Sequence, residues 1–130
     1  KWPLAALSAA MMLAAPVQAQ SDASKEEDAA IEVESFAIMC ISAYIGQTID
    51  TGKKVAELPD SHPIFFWRDI SEMMAGTLKR DWDADRTIVV EYNIARRRLF
   101  GDEYMTAEDT KVIQSCEKVQ KAIEADDAKK

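Results

Sequence analysis

Two cysteines and one histidine are the side chains of this 130-residue chain from which nucleophilic or metal chemistry would be expected first. Cys40 lies in ESFAIMCISAYIG, where Phe36 to Ile45 carry no charge, and Cys116 lies in VIQSCEKVQKAI. A reactive thiolate needs an electropositive, partly exposed setting such as a helix N-terminus. Cys40 sits instead among Met39 and Ile41, in the middle of an apolar segment. His62 follows Asp60 and Ser61 in PDSHPIFF, but adjacent residues cannot take up the geometry of nucleophile, base and orienting acid. One histidine with no cysteine to spare builds none of the usual zinc sites, so His62 reads as a surface residue in the first turn of a helix. The haem-attachment, P-loop and dinucleotide motifs are absent. The expectation is a protein without a catalytic constellation and with no cofactor.

Asp81, Asp83 and Asp85 stand in DWDADRTIVVEY, residues 81–92. They occupy positions one, three and five of a pattern that resembles an EF-hand calcium loop, with Ile88 at the apolar eighth position. Two places depart from it. The sixth position, normally a sharply turning glycine, is Arg86, and the twelfth, normally a bidentate glutamate, is Tyr92, with Glu91 one residue early. The competing reading is a group of acids at a helix N-terminus, where capping and the helix dipole favour them.

Two further features concern surfaces. PIFFWRD places Phe65 in phase with Asp69, Glu72 and Gly76 on the polar side of its helix, so the ring either packs under the 51–60 connector or faces a partner. ARRRLF sets Arg96, Arg97 and Arg98 in the last turn of a helix, complementing its dipole. They form either a solvated face paired with nearby acids or a dock for an acidic partner.

The N-terminal stretch KWPLAALSAAMMLAAPVQAQS has a basic first residue, an apolar run from Leu4 to Ala15 and the small residues of a cleavage site at Val17-Gln18-Ala19. This is the layout of a secretory signal peptide over residues 1–19; the run is too short to span a bilayer. The expected location is therefore the periplasm, with no transmembrane segment after cleavage. The chain has 16 basic and 23 acidic residues, a formal net charge of −7, and loss of Lys1 with the signal leaves −8. Such an acidic surface argues against nucleic acid or an anionic membrane as the main partner. In an oxidising compartment two cysteines pair; a Cys40–Cys116 bond closes a loop of about 76 residues, worth roughly 4.5 kcal/mol on the chain-entropy scale.

The elements that must position these residues read as four helices. Residues 20–33 are acidic and expected to be a flexible lead-in, although Ser24-Lys25-Glu26-Glu27 fits a capping box. The first helix runs from about Glu27 to Ile49 and is apolar all round between Phe36 and Ile45, as suits a central helix. The second starts near Asp60-Ser61 with Pro63 in its first turn. Its core stripe is Trp67, Ile70, Met74 and Leu78, flanked by Phe66 and Met73. The third spans about Asp85 to Phe100, with Ile88, Tyr92, Ala95 and Leu99 as its inward stripe and Gly101 as its stop; RTIVVEY also suits a strand. The fourth starts at Thr106, with Asp109 as a capping-box variant and a seam of Val112, Cys116, Val119 and Ile123. Residues 126–130 read as a tail.

The expected fold is all-α: a small four-helix bundle-like domain over 34–125, closed by one disulfide and preceded by a signal peptide. The expected function is a protein-interaction module, an accessory subunit or inhibitor, engaging another periplasmic protein or a second copy of itself. Size, export, helices and one disulfide are similar in architecture to the periplasmic acid-stress chaperone family, which implies acid-triggered loosening. The cysteine spacing is wider than in that family, and no residue roles carry over. A calcium binder is the second alternative.

Overall fold

The structure is a computed structural model describing residues 22–129; the signal peptide read over 1–19 lies outside them. The described residues form four helices and no strand: α1 (Asp22–Thr51), α2 (Pro63–Thr77), α3 (Trp82–Phe100) and α4 (Asp102–Ala128), with a short 3₁₀ turn, Val55–Glu57, between α1 and α2. RTIVVEY is helical throughout.

α1 is the central element, packed most extensively against α2 and then α4. Its Ser24–Thr51 stretch is long and apolar enough to cross a membrane by length and composition, but more than half of its most apolar window is buried inside this fold. The core gathers Ala37, Cys40, Ile41 and Tyr44 of α1 around Trp67, Ile70 and Met74 of α2 and Ile113, Cys116 and Ile123 of α4. Trp67 meets Phe36 and Phe66 edge to face, with ring centroids 5.3 and 5.0 Å apart. Cys40 and Cys116 form a disulfide from α1 to α4, their Cα atoms 5.9 Å apart.

The ends follow local chemistry. Gly52, with φ of 71°, ends α1, its N–H donating to the Ile49 carbonyl and that of Lys53 to Thr48. Gly101, with φ of 85°, is the single residue between α3 and α4. Both positions need the left-handed backbone that a side chain disfavours.

Several boundaries differ from the sequence reading. Helix α1 begins at Asp22, inside the expected flexible lead-in, because Ala29, Ala30 and Val33 are buried and give that acidic segment something to pack against. Helix α4 begins at Asp102 rather than Thr106 and continues to Ala128, through most of the expected tail. On α2, Trp67, Ile70 and Met74 are buried as expected, Leu78 is partly buried, and Met73 is exposed. On α4 the buried set is Met105, Asp109, Ile113, Cys116 and Ile123; Val112 and Val119 pack at its edge.

Candidate functional site

Helix α3 departs most from expectation. Its buried residues are Val89, Asn93 and Arg97, spaced four apart. The expected inward stripe points outward: Ile88 is 63% exposed, Tyr92 60% and Leu99 76%, and Ala95 is exposed between them. A helix normally turns its apolar stripe to the core. Here the polar side makes the specific hydrogen bonds to the body of the protein, and the apolar side stays largely exposed.

Arg97 is the centre of that polar seam, with its side chain only 6% exposed. Its Nη2 donates to the Gly46 carbonyl at 2.9 Å and to Asp109 Oδ2 at 3.0 Å. Its Nη1 donates to Asp50 Oδ1 at 2.8 Å and to Asp102 Oδ1 at 3.3 Å. Thr106 Oγ1 in turn donates to Asp50 Oδ2 at 2.8 Å. One guanidinium thus joins α1, α3 and α4. Burial opposes its charge, but Asp50, Asp109 and Asp102 outweigh that and raise its pKa. Burial raises the pKa of Asp109, and Arg97 only partly offsets this. The planar fork that meets several oxygens at once is a property of arginine and not of lysine.

The three arginines therefore have separate roles. Arg97 is internal, whereas the Arg96 guanidinium stacks 5.6 Å from the Tyr92 ring centroid and Arg98 is exposed. The reading of Arg97 as part of a solvated or acid-docking face is corrected: three aspartates of its own chain already hold it.

One turn earlier, Asn93 Nδ2 donates to the Ser42 carbonyl at 2.9 Å and lies 3.1 Å from Ser42 Oγ. At the start of α3, Trp82 Nε1 donates to Ser71 Oγ of α2 at 2.8 Å. Beside it Glu34, 1% exposed, accepts from Arg80 Nη1 at 2.7 Å. Burial raises the Glu34 pKa; Arg80 works against this, and the neighbouring carboxylate of Asp85 adds to it. The second oxygen of each of those two carboxyl groups is buried without a hydrogen-bond donor.

The aspartates at 81, 83 and 85 do not converge. Asp81 is the N-cap of α3, its Oδ1 accepting from the N–H groups of Asp83 and Ala84 at 3.0 and 3.4 Å. Asp83 is exposed and pairs with Arg86, and Asp85 turns toward Glu34. Among the described residues no group of three or more His, Cys, Asp or Glu side chains is placed to hold a metal ion. His62 is not a bystander on the surface: it is the N-cap of α2, its Nδ1 accepting from Ile64 N–H at 3.1 Å, and it meets Tyr44 edge to face. Burial lowers its pKa.

Phe65 is half-buried, with the Arg68 guanidinium 4.9 Å from its ring centroid. It lines an open groove of about 490 Å³ together with Ile41, Ile45, Val55, Ile64 and Val90. Val55 of the connector lines the same groove, and Phe65 packs against the edge of the core. A second groove of about 310 Å³, walled by Ile38, Met39, Val112, Ile88 and Tyr92, runs along the other side of α3.

Glu34, Asn93 and Asp109 were missed as packing residues because each looked like an ordinary polar position. For Asp109 a signal existed: it lies four residues after Met105 and four before Ile113, on the face those two bury. No protein-family model, no curated protein and no solved structure matches this chain.

Proposed function

We propose that this chain is an exported periplasmic protein that works through a protein-binding surface, as an accessory subunit or inhibitor, and not through catalysis. The observation that carries this reading is the inverted amphipathicity of α3. Burying Ile88, Tyr92 and Leu99 in water-free contact would be favourable by roughly 1.5–3 kcal/mol per large side chain. The helix leaves them outside while holding an arginine and an asparagine inside. Phe100 and Tyr104, both exposed and with ring centroids 5.3 Å apart, form a separate exposed aromatic pair at the α3–α4 junction, about 100° around the helix from that stripe. Large apolar side chains exposed together along one helix face mark an interaction site.

The test is a photo-crosslinking amino acid introduced at Leu99 and, as a control, at the exposed Gln114 of α4. The expected result in the producing cell is a discrete protein adduct from Leu99 and none from Gln114. Equal labelling at the two positions, or none, would overturn the reading.

A further inference from the structure

The occupant of this face is a second copy of the same chain, docked antiparallel: we infer that two α3 helices pair across a two-fold axis near the middle of the helix. The inference rests on the reading above, that the outer side of α3 is a binding face, and names its partner.

In heptad terms Tyr92 and Leu99 take one seam position, and Ile88 and Ala95 take the other. The exposed seam is therefore self-complementary in type, and the small Ala95 near its centre lets two helices approach closely. Its two flanks differ. Val89 and Arg96 flank one side; Val89 is buried in the protomer, and Arg96 is laid against Tyr92 in the wall of the smaller groove. That flank faces the protein's own body. Glu91 and Arg98 flank the other side; both are exposed, and neither is ion-paired among the described residues.

These two open residues decide the direction. Seven residues apart, they lie on one side of the seam, within about 20° of each other around the helix. In a parallel pair each flank meets the opposite flank of its partner, so Glu91 would have to draw the partner's Arg96 off its own Tyr92 ring, and Val89 on that flank is buried. In an antiparallel pair like flank meets like flank, and a two-fold axis midway between Glu91 and Arg98 sets each Glu91 opposite the partner's Arg98. The same arrangement opposes the two helix dipoles. It is also isologous, so assembly stops at two copies.

Sedimentation equilibrium of the processed protein, from micromolar to several hundred micromolar, tests this. The expected result is a reversible dimer with a dissociation constant on the order of micromolar to tens of micromolar, as suits a small interface. Glu91→Arg and Arg98→Glu should each weaken it about tenfold or more, and the double reversal should restore it, since like charges are set together only in the singles. With Arg98→Lys, carbodiimide should join Glu91 of one copy to the new lysine of the other. A monomer throughout the range, or a dimer indifferent to both reversals, would overturn the inference. The two readings fail separately. A monomer whose Leu99 still crosslinks to a different protein in the cell keeps the binding face and loses only the self-pairing.

Discussion

Gly46 and Asp109 meet so closely that no side chain fits between them: a β-carbon built on Gly46 would overlap the Asp109 carboxylate and come within 2.8 Å of Arg97 Nη2. The glycine, in the interior of α1, is there because an ion pair from two other helices rests on its backbone. In an unencumbered helix interior, Gly→Ala stabilises by roughly 1 kcal/mol. Gly46→Ala should reverse that sign and cost about 2–4 kcal/mol, as Arg97 and Asp109 are pushed apart while still buried. Urea denaturation gives the answer, and a stabilised Gly46→Ala protein would rule out the contact.

The arginine triplet should divide sharply under mutation. Arg97→Met leaves Asp50 and Asp109 without their shared cation and should destabilise by about 3–5 kcal/mol. Arg97→Lys should recover only a minor part, because one ammonium cannot span Gly46, Asp50 and Asp109 together. Arg96→Ala and Arg98→Ala should stay within about 0.5 kcal/mol in the monomer. Thermal and chemical unfolding of the four variants, at a protein concentration too low for association, checks the division.

Glu34 makes stability depend on pH in an unusual direction. Its folded pKa lies above the ordinary 4.5, so the folded state binds the proton more readily than the unfolded state. Its contribution is fully present below pH 4.5 and is lost as pH rises through the raised folded value. Asp109, raised from 3.8, acts in the same direction. Glu34→Gln keeps an acceptor for Arg80 and removes the charge facing Asp85. It should be equal to or up to about 1 kcal/mol more stable than the parent at pH 8, and should flatten the decline of stability above pH 4.5. Mild acid thus relieves the cost of burying these two carboxylate charges; a parent protein less stable at pH 5 than at pH 8 would contradict this contribution.

His62 should act in the other direction. Its folded pKa is lowered from 6.5 by burial, and the half-buried imidazole accepts from Ile64 N–H only when Nδ1 is unprotonated. The cap's contribution is present above pH 6.5 and is lost as pH falls through the lowered folded value. His62→Ala should cost about 1 kcal/mol at pH 7.5. His62→Asn, a capping residue that does not titrate, should keep the stability and remove this part of the pH dependence in calorimetric scans.

The sequence made α1, α2 and the disulfide legible because each is written in apolar residues with a local period. Cys40 and Cys116 stand within such stripes, and pairing them needed only the expectation of an oxidising compartment. Helix α3 was legible as a helix and misread as to its face, for a physical reason. Periodicity ranks faces by hydropathy, and Ile88, Tyr92, Ala95 and Leu99 outrank Val89, Asn93 and Arg97. What turns the second set inward is hydrogen bonding to Ser42, Gly46 and Asp50, residues 47 to 51 positions away in the chain. No local window includes both partners. His62 was likewise placed at the correct end of its helix but not as the cap, since histidine is an uncommon choice there.

The disulfide binds α1 to α4, and the aromatic and methionine contacts bind α2 to α1, but α3 adds little apolar contact to either. The protein is therefore built in two tiers. Three helices share a covalently tied core, and the fourth is fastened by a few directional contacts that are made or broken together. Such an element opens on its own well before the molecule unfolds. Amide protons of α3 should exchange by this partial opening, while those around Cys40 and Cys116 wait for global unfolding. The surface we propose for binding is thus carried by the part of the fold with the fewest apolar ties to the core.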